Sequence, residues 1–498
     1  MARNDQIRHK TFSLLYGSVR VAFSQVIAHQ RVFRPEDQQR FMVISGDNNP
    51  VHLDPVRARR FLFGKPVVHG AHILMWALDS LFATRKGTYR ISAVRASFRR
   101  PVFPGDQLTI EYPSDAEESV RLDITSAGEV KASVLVEFSR IHSVSDQTRS
   151  PHPEAPTLCE PRVLTDDDLP GLEGTLALHL PETEYRRLFP NLARSVEPFQ
   201  VSALLSISRL VGVECPGLNS ILYEIDLSDE TSQVRSDMNY RVTAFDERTQ
   251  RVSLDVVSPL LSGNVIAFVR PEPVSQADCA ELSVLVEDNE FSDQNALVVG
   301  ASRGLGEVTA KLLAMGGASV TGTFNVGKDD ADQVAEEIGS VGGRIRFVHL
   351  DVTQSDFLEW FTNEGDSGLT HLYYFCSPRI PLNQTGKFSS EALEDLVQFY
   401  VCHFIELTNV LVESRLSRAF YPSTVFLDET PPGMEEYSIA KSAGEAACAI
   451  LEKTYPELRI YRPRLPVTNT DQTASILPVR RDDPSILMLK HLREFVSL

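Results

Sequence analysis

The pattern of apolar residues changes near residue 290, and this change constrains the fold of the 498-residue chain more than any other feature. Before it, an apolar helix-like run followed by short alternating runs occurs twice, with the helices at HILMWALDSLF and QVSALLSISRLVGV. After it, strand-like and helix-like runs alternate, beginning with NALVVGAS and EVTAKLLAMGG. Period-2 runs predict antiparallel strands, whereas strand–helix alternation predicts a parallel sheet covered by helices.

Each copy of the first pattern is one helix followed by four strands in a meander, the outline of a hot-dog fold, in which a sheet wraps a central helix. The recurrence indicates an internal duplication, and a further strand is predicted at residues 21–33. Linkers are predicted at residues 143–157 and 270–278. We therefore predict an α+β double hot dog followed by an α/β Rossmann-type, doubly wound parallel sheet. The expected domains are residues 1–146, 158–272 and 290–498.

The composition excludes several classes of partner. Lys and Arg number 49 against 67 Asp and Glu, a net charge of −18, which argues against binding to nucleic acid or an anionic membrane. The six cysteines form no CxxC pair and no Cys/His cluster, so neither disulfides nor a metal site is predicted. The polar N-terminus and the expected lack of a membrane span favour a cytoplasmic protein.

A carboxylate and an imidazole lie five residues apart, as Asp47 and His52, in the stretch SGDNNPVHLDPVRARRFLFGKPVVHG at residues 45–70. This stretch closely resembles the signature of the MaoC-like, (R)-specific enoyl-thioester hydratases and dehydratases. The resemblance extends through PVFPGDQL to the end of the first predicted domain. It implies that Asp47 and His52 face a thioester substrate and are catalytic.

This chemistry suits the residue types. Hydration of a 2-enoyl thioester, or its reversal, needs one group for the hydroxyl and another for the C2 proton, and which of Asp47 and His52 acts first stays open. Backbone N–H groups near Gly70, ahead of a helix, suit the charge that develops on the thioester oxygen. His69 and Asn49 are further candidates for substrate contact, with a structural role as the alternative.

Two other parts of the hot-dog region receive weaker predictions. Arg99 and Arg100 are either partners for coenzyme A phosphates or a solvated surface pair. Residues 161–270 contain no Asp/His pair at the spacing of the first copy. The second copy is therefore predicted to complete the sheet and shape an acyl tunnel without taking part in catalysis.

The run LVVGASRGLG at residues 297–306 is a predicted strand, turn and helix. Such a turn is a dinucleotide fingerprint, because its glycines let the backbone and the helix N-terminus approach a pyrophosphate. The region resembles the short-chain dehydrogenase/reductase family over residues 290–498, and the resemblance implies a matching adenine contact after the third strand. The candidate cofactor-binding residues are Gly300, Ser302, Arg303, Gly304, Leu305, Gly306, Asp351, Val352 and Lys441.

The choice of cofactor follows from charge. The run VTGTFNVGK has no acidic residue at the end of its strand to hold a free ribose 2′-hydroxyl, whereas Arg303 and Lys328 are available for a 2′-phosphate. We therefore predict NADP(H) rather than NAD(H). Thr323 and Asn325 are either additional hydrogen-bond donors or solvated loop residues.

Catalysis in this family uses a Tyr and a Lys spaced YxxxK, here Tyr437 and Lys441, which one helical turn places side by side. The family's serine lies 13 residues before the tyrosine, and 437 − 13 = 424 is Thr424, with Ser423 beside it; either hydroxyl is a candidate. The family's Asn-Ala-Gly run is replaced by Phe-Cys-Ser at 375–377, and Tyr400 is the best match for its helical asparagine.

Together the two resemblances imply a bifunctional enzyme. Its reductase would convert a 3-oxoacyl thioester into a (3R)-hydroxyacyl thioester, and its MaoC-like site would interconvert that product with the 2-enoyl thioester. The first alternative is a hydratase whose reductase domain only binds nucleotide or scaffolds, and the second is a non-catalytic thioester-binding protein. The expected partner is an acyl-CoA or acyl-carrier-protein thioester, and the chain is expected to form a homo-oligomer.

Overall fold

The computed structural model describes residues 29–141, 150–229, 236–354, 356–363, 368–380, 388–476 and 479–498. The predicted strand at residues 21–33 lies mostly outside this set, and its described part contains the short strand Gln30–Val32. Part of the predicted linker at 143–157 also lies outside it.

The first hot-dog unit wraps an antiparallel sheet around one apolar helix. Its strands are β1 (Gln30–Val32), β2 (Thr88–Phe98), β3 (Gln107–Asp115), β4 (Ser119–Ser126) and β5 (Glu129–Ile141), and its helices are α1 (Pro35–Ser45), α2 (Pro50–Leu53), α3 (Pro55–Ala58) and α4 (Gly70–Ala83). The strand order β1-β3-β4-β5-β2 corrects the predicted meander. Only β3, β4 and β5 form a meander. Strand β2 pairs through one edge with β5 and through the other edge with a strand of the second unit.

The second unit repeats this arrangement. Its strands are β6 (Glu173–Ala177), β7 (Ser220–Ser228), β8 (Asp237–Asp246), β9 (Arg251–Val257) and β10 (Ser262–Val269), and its helices are α5 (Glu182–Leu188), α6 (Pro190–Ser195) and α7 (Pro198–Arg209). A π-helical turn, Leu210–Glu214, extends α7. Antiparallel pairing of β2 with β7 fuses the halves into one ten-stranded sheet over a shared apolar core. The predicted double hot dog is confirmed.

The C-terminal part has a six-stranded parallel sheet in the order β13-β12-β11-β14-β15-β17, as predicted for a Rossmann-type domain. The strands of this sheet are β11 (Asn295–Val299), β12 (Ser319–Phe324), β13 (Ile345–His349), β14 (His371–Tyr374), β15 (Arg418–Phe420) and β17 (Arg459–Tyr461). A separate two-stranded sheet is formed by β16 (Ser423–Thr424) and β18 (Arg464–Leu465). Its helices are α8 (Cys279–Ser283), α9 (Gly304–Met315), α10 (Lys328–Ser340), α11 (Glu359–Asn363), α12 (Ser390–Val397), α13 (His403–Val412), α14 (Glu435–Thr454) and α15 (Pro484–Val496). Separate apolar clusters fill the two sides of the sheet.

One helical stretch needs a correction to the sequence-based expectation about membrane spans. Ser390–Val412 is long and apolar enough to cross a membrane by length and composition alone. Within the domain it contributes Leu396, Phe404 and Leu407 to the interior, and its α12 part packs on α14. All six cysteines are free thiols.

Candidate active sites

Asp47 lies in the loop that follows α1, where Gly46 ends the helix with a left-handed φ of 76°. Its side chain is buried, and Oδ1 accepts the backbone N–H of Asn49 at 3.2 Å. Oδ2 accepts the hydroxyl of Ser208 at 2.7 Å. Burial raises the pKa of Asp47, against the lowering effects of His52 and Ser208, so its protonated form is more accessible than for an exposed carboxyl group.

His52 faces Asp47 from the short helix α2. Its Nδ1 lies 2.8 Å from the carbonyl oxygen of Val67, and because a carbonyl only accepts, Nδ1 carries the proton of the neutral ring. Nε2 therefore presents a lone pair, 3.9 Å from Asp47 Oδ2. Burial lowers the pKa of His52 despite the opposing charge of Asp47, which favours this neutral tautomer.

His69 and Asn49 are predicted substrate contacts, but the structure places both behind the pair. His69 is fully buried, stacks on His52 with ring centroids 3.8 Å apart, and has Nδ1 2.9 Å from Gln38 Oε1. The Asn49 amide donates to the carbonyls of Gly212 and Gly217. Neither side chain lines the adjoining cavity, so both position the pair, and the predicted substrate contact is corrected.

The one group of residues with metal-ligand geometry in the described part of the chain is Asp47, His52 and His69. Their ligating atoms lie within 4.8 Å of one another. His69 Nε2 lies 3.2 Å from the backbone carbonyl oxygen of Asp47, so this nitrogen already has a hydrogen-bond partner within the protein.

Asp47 and His52 open into a cavity of about 330 Å³ with mainly apolar walls. Gly70, the first residue of α4, lines it as predicted, and its N–H is among those that a helix leaves without an internal partner. A Cβ at this position would lie 3.3 Å from the Phe98 ring. Arg99, Arg100 and Lys131 also line the cavity, as does Ile476 from the C-terminal domain.

The second hot-dog unit, predicted to take no part in catalysis, holds the carboxyl group of the first. Ser208 lies on α7 and bonds Asp47 across 161 positions of sequence. A Cβ on Gly212, in the π-helical turn, would lie 2.3 Å from Asp47 Oδ1, so only glycine fits against the carboxyl group as it stands. No motif marked either residue, because their roles depend on the packing of the two units.

The glycine-rich turn fits a dinucleotide pyrophosphate. Gly300 and Gly304 have φ of 81° and 62°, and a Cβ on Gly306 would lie 2.1 Å from the Gly300 carbonyl oxygen. The chain can therefore turn tightly between β11 and the N-terminus of α9, next to Ser302 and Leu305. Thr323 accepts the N–H of Gly300 on its hydroxyl at 3.1 Å, so it supports the turn.

The side chains predicted to select the cofactor differ in their contacts. Arg303 donates to the Arg59 carbonyl oxygen at 2.9 Å. Lys328, the first residue of α10, forms an exposed ion pair with Asp332 one turn along the helix, and its role as a phosphate ligand stays a prediction. Asp351 accepts hydrogen bonds from Thr353 and from Asn325, beside the buried Val352.

The structure also separates the two candidate hydroxyls near Tyr437. Thr424 hydrogen-bonds the Tyr437 phenol, whereas the Ser423 hydroxyl donates to Glu445 at 2.5 Å. Thr424 is therefore the hydroxyl that faces the site, and the catalytic candidacy of Ser423 is corrected. Burial raises the pKa of Tyr437 to about 12, against the lowering effect of Thr424.

Lys441 is buried one turn after Tyr437 on α14, and its ammonium donates to the Pro422 carbonyl oxygen at 2.7 Å. The Tyr400 ring centroid lies 3.8 Å from Nζ, and the Tyr400 hydroxyl is 2.6 Å from Ser377 Oγ. Burial lowers the pKa of Lys441 to about 7. Tyr400 lies in a π-helical turn, Gln398–Cys402, and its match to the family's helical asparagine stays a prediction.

Comparison with known families matches the two regions separately. Residues 20–136 match the family described as "MaoC like domain", and residues 294–374 match "short chain dehydrogenase". The chain carries a MaoC-like domain and a short-chain dehydrogenase domain. The match to the dehydrogenase domain ends before Tyr437 and Lys441, so the roles of those residues stay predictions.

Curated relatives of the MaoC-like domain include 3-hydroxyacyl-thioester dehydratase Y of Mycobacterium tuberculosis, which is 31% identical over 22% of this chain and 40% of the relative. Another relative is the peroxisomal hydratase-dehydrogenase-epimerase of Saccharomyces cerevisiae, at 38% identity over 15% of this chain and 8% of the relative. The chain thus spans less than half the length of either. A solved alcohol dehydrogenase from Thermococcus sibiricus, complexed with 5-hydroxy-NADP, aligns with 41% of this chain and 90% of that chain at 19% identity, with a TM-score of 0.36.

Proposed function

We propose that the chain is a bifunctional acyl-thioester enzyme. Its MaoC-like domain hydrates 2-enoyl thioesters or dehydrates (3R)-hydroxyacyl thioesters, and its dehydrogenase domain reduces 3-oxoacyl thioesters with NADP(H). The observation that carries the proposal is the pair formed by Asp47 Oδ2 and His52 Nε2, 3.9 Å apart, at an apolar cavity that also exposes a helix N-terminus.

In the hydration direction, His52 Nε2 accepts a proton from the water whose oxygen bonds to C3. The C2=C3 electron pair moves toward the thioester, and Asp47 in its protonated form delivers a proton to C2. Transfer of a proton from His52 to Asp47 restores both groups, so the protons balance. Dehydration follows the same steps in reverse.

The developing enolate charge lies on the thioester oxygen. Amide N–H groups at the start of α4, near Gly70, are fixed before the reaction and stabilise this charge without reorganising. The close approach of Phe98 and Leu222 to Gly70 keeps water away from the oxygen. These contacts strengthen the electrostatic effect.

In the dehydrogenase domain, the turn at Gly300 to Gly306 would hold the pyrophosphate, and Arg303 lies at the adjacent helix start. The chemistry that a bound nicotinamide dinucleotide supplies is hydride transfer. Tyr437 donates its phenolic proton to the carbonyl oxygen, and Thr424 orients the phenol. The Lys441 ammonium lowers the energy of the phenolate that results.

The substrate class follows from the walls of the cavity. Apolar residues suit an acyl chain, and Arg99, Arg100 and Lys131 suit phosphate groups. This favours acyl-CoA over an acyl carrier protein, which would need a larger basic docking surface. The (3R)-hydroxyacyl thioester is common to both reactions, and the link between the domains raises its effective concentration. Cytoplasmic location, a homo-oligomeric state and the domain boundaries stay predictions.

A coupled assay tests this function. The whole chain is supplied with 3-oxoacyl-CoA or 3-oxoacyl carrier protein and NADPH, and NADPH consumption and enoyl formation are followed together. Both signals are expected, with the CoA substrate preferred. A parallel assay supplies 2-enoyl-CoA directly. Hydration of this substrate without NADPH consumption on the 3-oxoacyl thioesters would disprove the reductase half, and the absence of both activities would disprove the whole proposal.

A second candidate function is hydration alone, with a dehydrogenase domain that binds nucleotide without efficient reduction. The ring of Tyr400, 3.8 Å from the Lys441 ammonium, favours it, because this residue is the best match for the family's helical asparagine and presents an aromatic ring to the ammonium instead of an amide. In that case the wild-type chain binds NADPH but does not oxidise it with any 3-oxoacyl thioester.

A further inference from the structure

Three arginines from two different domains meet beside the glycine-rich turn. Arg59 and Arg60 follow α3 in the MaoC-like domain, and Arg303 precedes α9 in the dehydrogenase domain. Arg303 Nη1 donates to the Arg59 carbonyl oxygen at 2.9 Å. The two domains therefore contact each other directly at the place where a dinucleotide would bind.

Two carboxylates are shared among these arginines. Asp330, in the first turn of α10, forms an ion pair with Arg59 and lies 3.5 Å from Arg60. Asp471 lies 3.2 Å from Arg60 Nε and 3.8 Å from Arg303. This set of three arginines and two aspartates is called the domain-contact cluster below.

The domain-contact cluster contains three guanidinium groups and two carboxylates, so its positive charges outnumber its negative charges. The nearby Glu307 pairs with Lys311 instead. Arg59 Nε is buried without a hydrogen-bond partner among the described residues. Burial, followed by the like charges of Arg303 and Arg60, lowers the pKa of Arg59 to about 10. A further anion among the guanidinium groups would relieve this repulsion.

The position of the cluster identifies which part of a nucleotide it would meet. In a Rossmann-type domain the ribose 2′ position lies near the end of the second strand, which here is β12. Gly327, three residues beyond β12, lies against the Arg59 guanidinium group, and a Cβ there would be 2.1 Å from Nη2. Asn325, at the end of the same strand, is bonded to Asp351.

We propose that Arg59 and Arg60 of the MaoC-like domain complete, together with Arg303, a binding site for the 2′-phosphate of NADP(H). Guanidinium groups suit this ligand because they bind phosphate oxygens through paired N–H donors. The inference rests on the proposed NADP(H)-dependent reduction and adds that the hydratase part of the chain determines the cofactor preference. The same segment continues into Leu62 and Phe63, which line the hydration cavity.

Binding of NADPH, NADH, 2′,5′-ADP and 5′-AMP to the whole chain tests the proposal by calorimetry or fluorescence titration. Arg59→Ala and Arg60→Ala are expected to weaken NADPH and 2′,5′-ADP binding by about 10- to 100-fold, the range for loss of a charge-assisted hydrogen bond. NADH and 5′-AMP binding should change less than about twofold, because these nucleotides lack the 2′-phosphate that the arginines would bind. An equal loss for all four nucleotides, or no loss for NADPH, would overturn the inference.

Matched variants separate a phosphate contact from a purely structural one. Arg57→Ala, on the exposed end of the same short helix, is expected to leave NADPH binding unchanged. Asp330→Asn breaks the same ion pair as Arg59→Ala but frees the arginine, so it should keep NADPH affinity or increase it. A loss for Asp330→Asn equal to that for Arg59→Ala would show that the pair only joins the domains, and would overturn the inference.

The test also distinguishes this inference from the proposed function. Wild-type chain that binds neither NADPH nor NADH contradicts the reductase proposal and the inference together. Wild-type chain that prefers NADPH, with the preference unchanged in Arg59→Ala and Arg60→Ala, contradicts the inference alone. Circular dichroism and thermal unfolding of each variant show whether the fold is retained.

Discussion

The proposed hydration site and the proposed reduction site, called the hydration site and the reduction site below, are built from different parts of the chain. The ionisable pair of the hydration site, Asp47 and His52, is held by groups far away in sequence, with Ser208 161 positions from Asp47. At the reduction site, Tyr437 and Lys441 share the helix α14, and Thr424 lies 13 positions before Tyr437.

This difference shows what the second hot-dog unit contributes to a site whose ionisable pair lies in the first unit. Residues 161–270 have no Asp/His pair at the spacing of the first copy. The second unit nevertheless donates a hydroxyl to Asp47 and leaves space for its carboxyl group at Gly212. At the reduction site the neighbours of Lys441 are tyrosine rings. The first site thus depends on domain packing, and the second on one helix and its immediate surroundings.

Removal of one ionisable group from the hydration site should give the largest loss of rate, and this loss should be confined to hydration. Asp47→Asn is expected to reduce hydration of an enoyl-CoA by about 100-fold or more, because an acid/base group typically contributes this much. Spectrophotometric loss of the enoyl thioester measures it. Tyr437→Phe is the reciprocal control and should reduce only NADPH consumption; a loss of both reactions in either variant would show that the sites are not independent.

Gly212→Ala tests whether the second unit positions Asp47. The added methyl would lie 2.3 Å from Oδ1, and because a shift of about 1 Å can cost about 100-fold in rate, hydration should fall by about 10- to 100-fold. The control Gly339→Ala lies where a Cβ meets no atom within 4 Å. Unchanged hydration in Gly212→Ala would mean that Asp47 does not need its observed position.

Ser208→Ala should have a smaller effect. It removes one hydrogen bond to a carboxylate, and hydration is expected to fall by about tenfold. Because this bond lowers the pKa of Asp47, its loss should also move the Asp47 limb of the pH profile to higher pH. Ser206→Ala on the same helix is the control, and a rate loss without a pH shift would contradict a direct contact with Asp47.

The smallest effect is expected in the pH dependence of reduction. Burial lowers the pKa of Lys441 to about 7, so the ammonium is lost as pH rises through this value and kcat/KM for reduction should decline severalfold. Measurement of NADPH consumption between about pH 5.5 and 9 checks this. Lys453→Gln, at the exposed end of α14, should leave the profile unchanged. A flat wild-type profile would show that the ammonium is not required.

The sequence predicted those parts of the fold that repeat locally. Alternating apolar residues gave the strands of both hot-dog units, and strand–helix alternation gave the parallel sheet. The meander was wrong because pairing partners are not encoded by periodicity: β2 pairs with β5 and with β7, and both contacts depend on the assembled sheet. The sequence likewise could not distinguish Thr424 from Ser423. Adjacent strand residues point to opposite sides of the strand, and only the tertiary structure shows which side faces the site.

The sequence by itself determined the candidate pairs of both proposed sites, because Asp47 with His52 and Tyr437 with Lys441 lie close enough in sequence for local backbone geometry to bring them together. Only the tertiary structure decided what surrounds them. Ser208 and Gly212 reach Asp47, and Arg59 reaches Gly327, through the packing of separate domains. Such contacts have no sequence periodicity, because they join residues that are far apart along the chain and lie in different units.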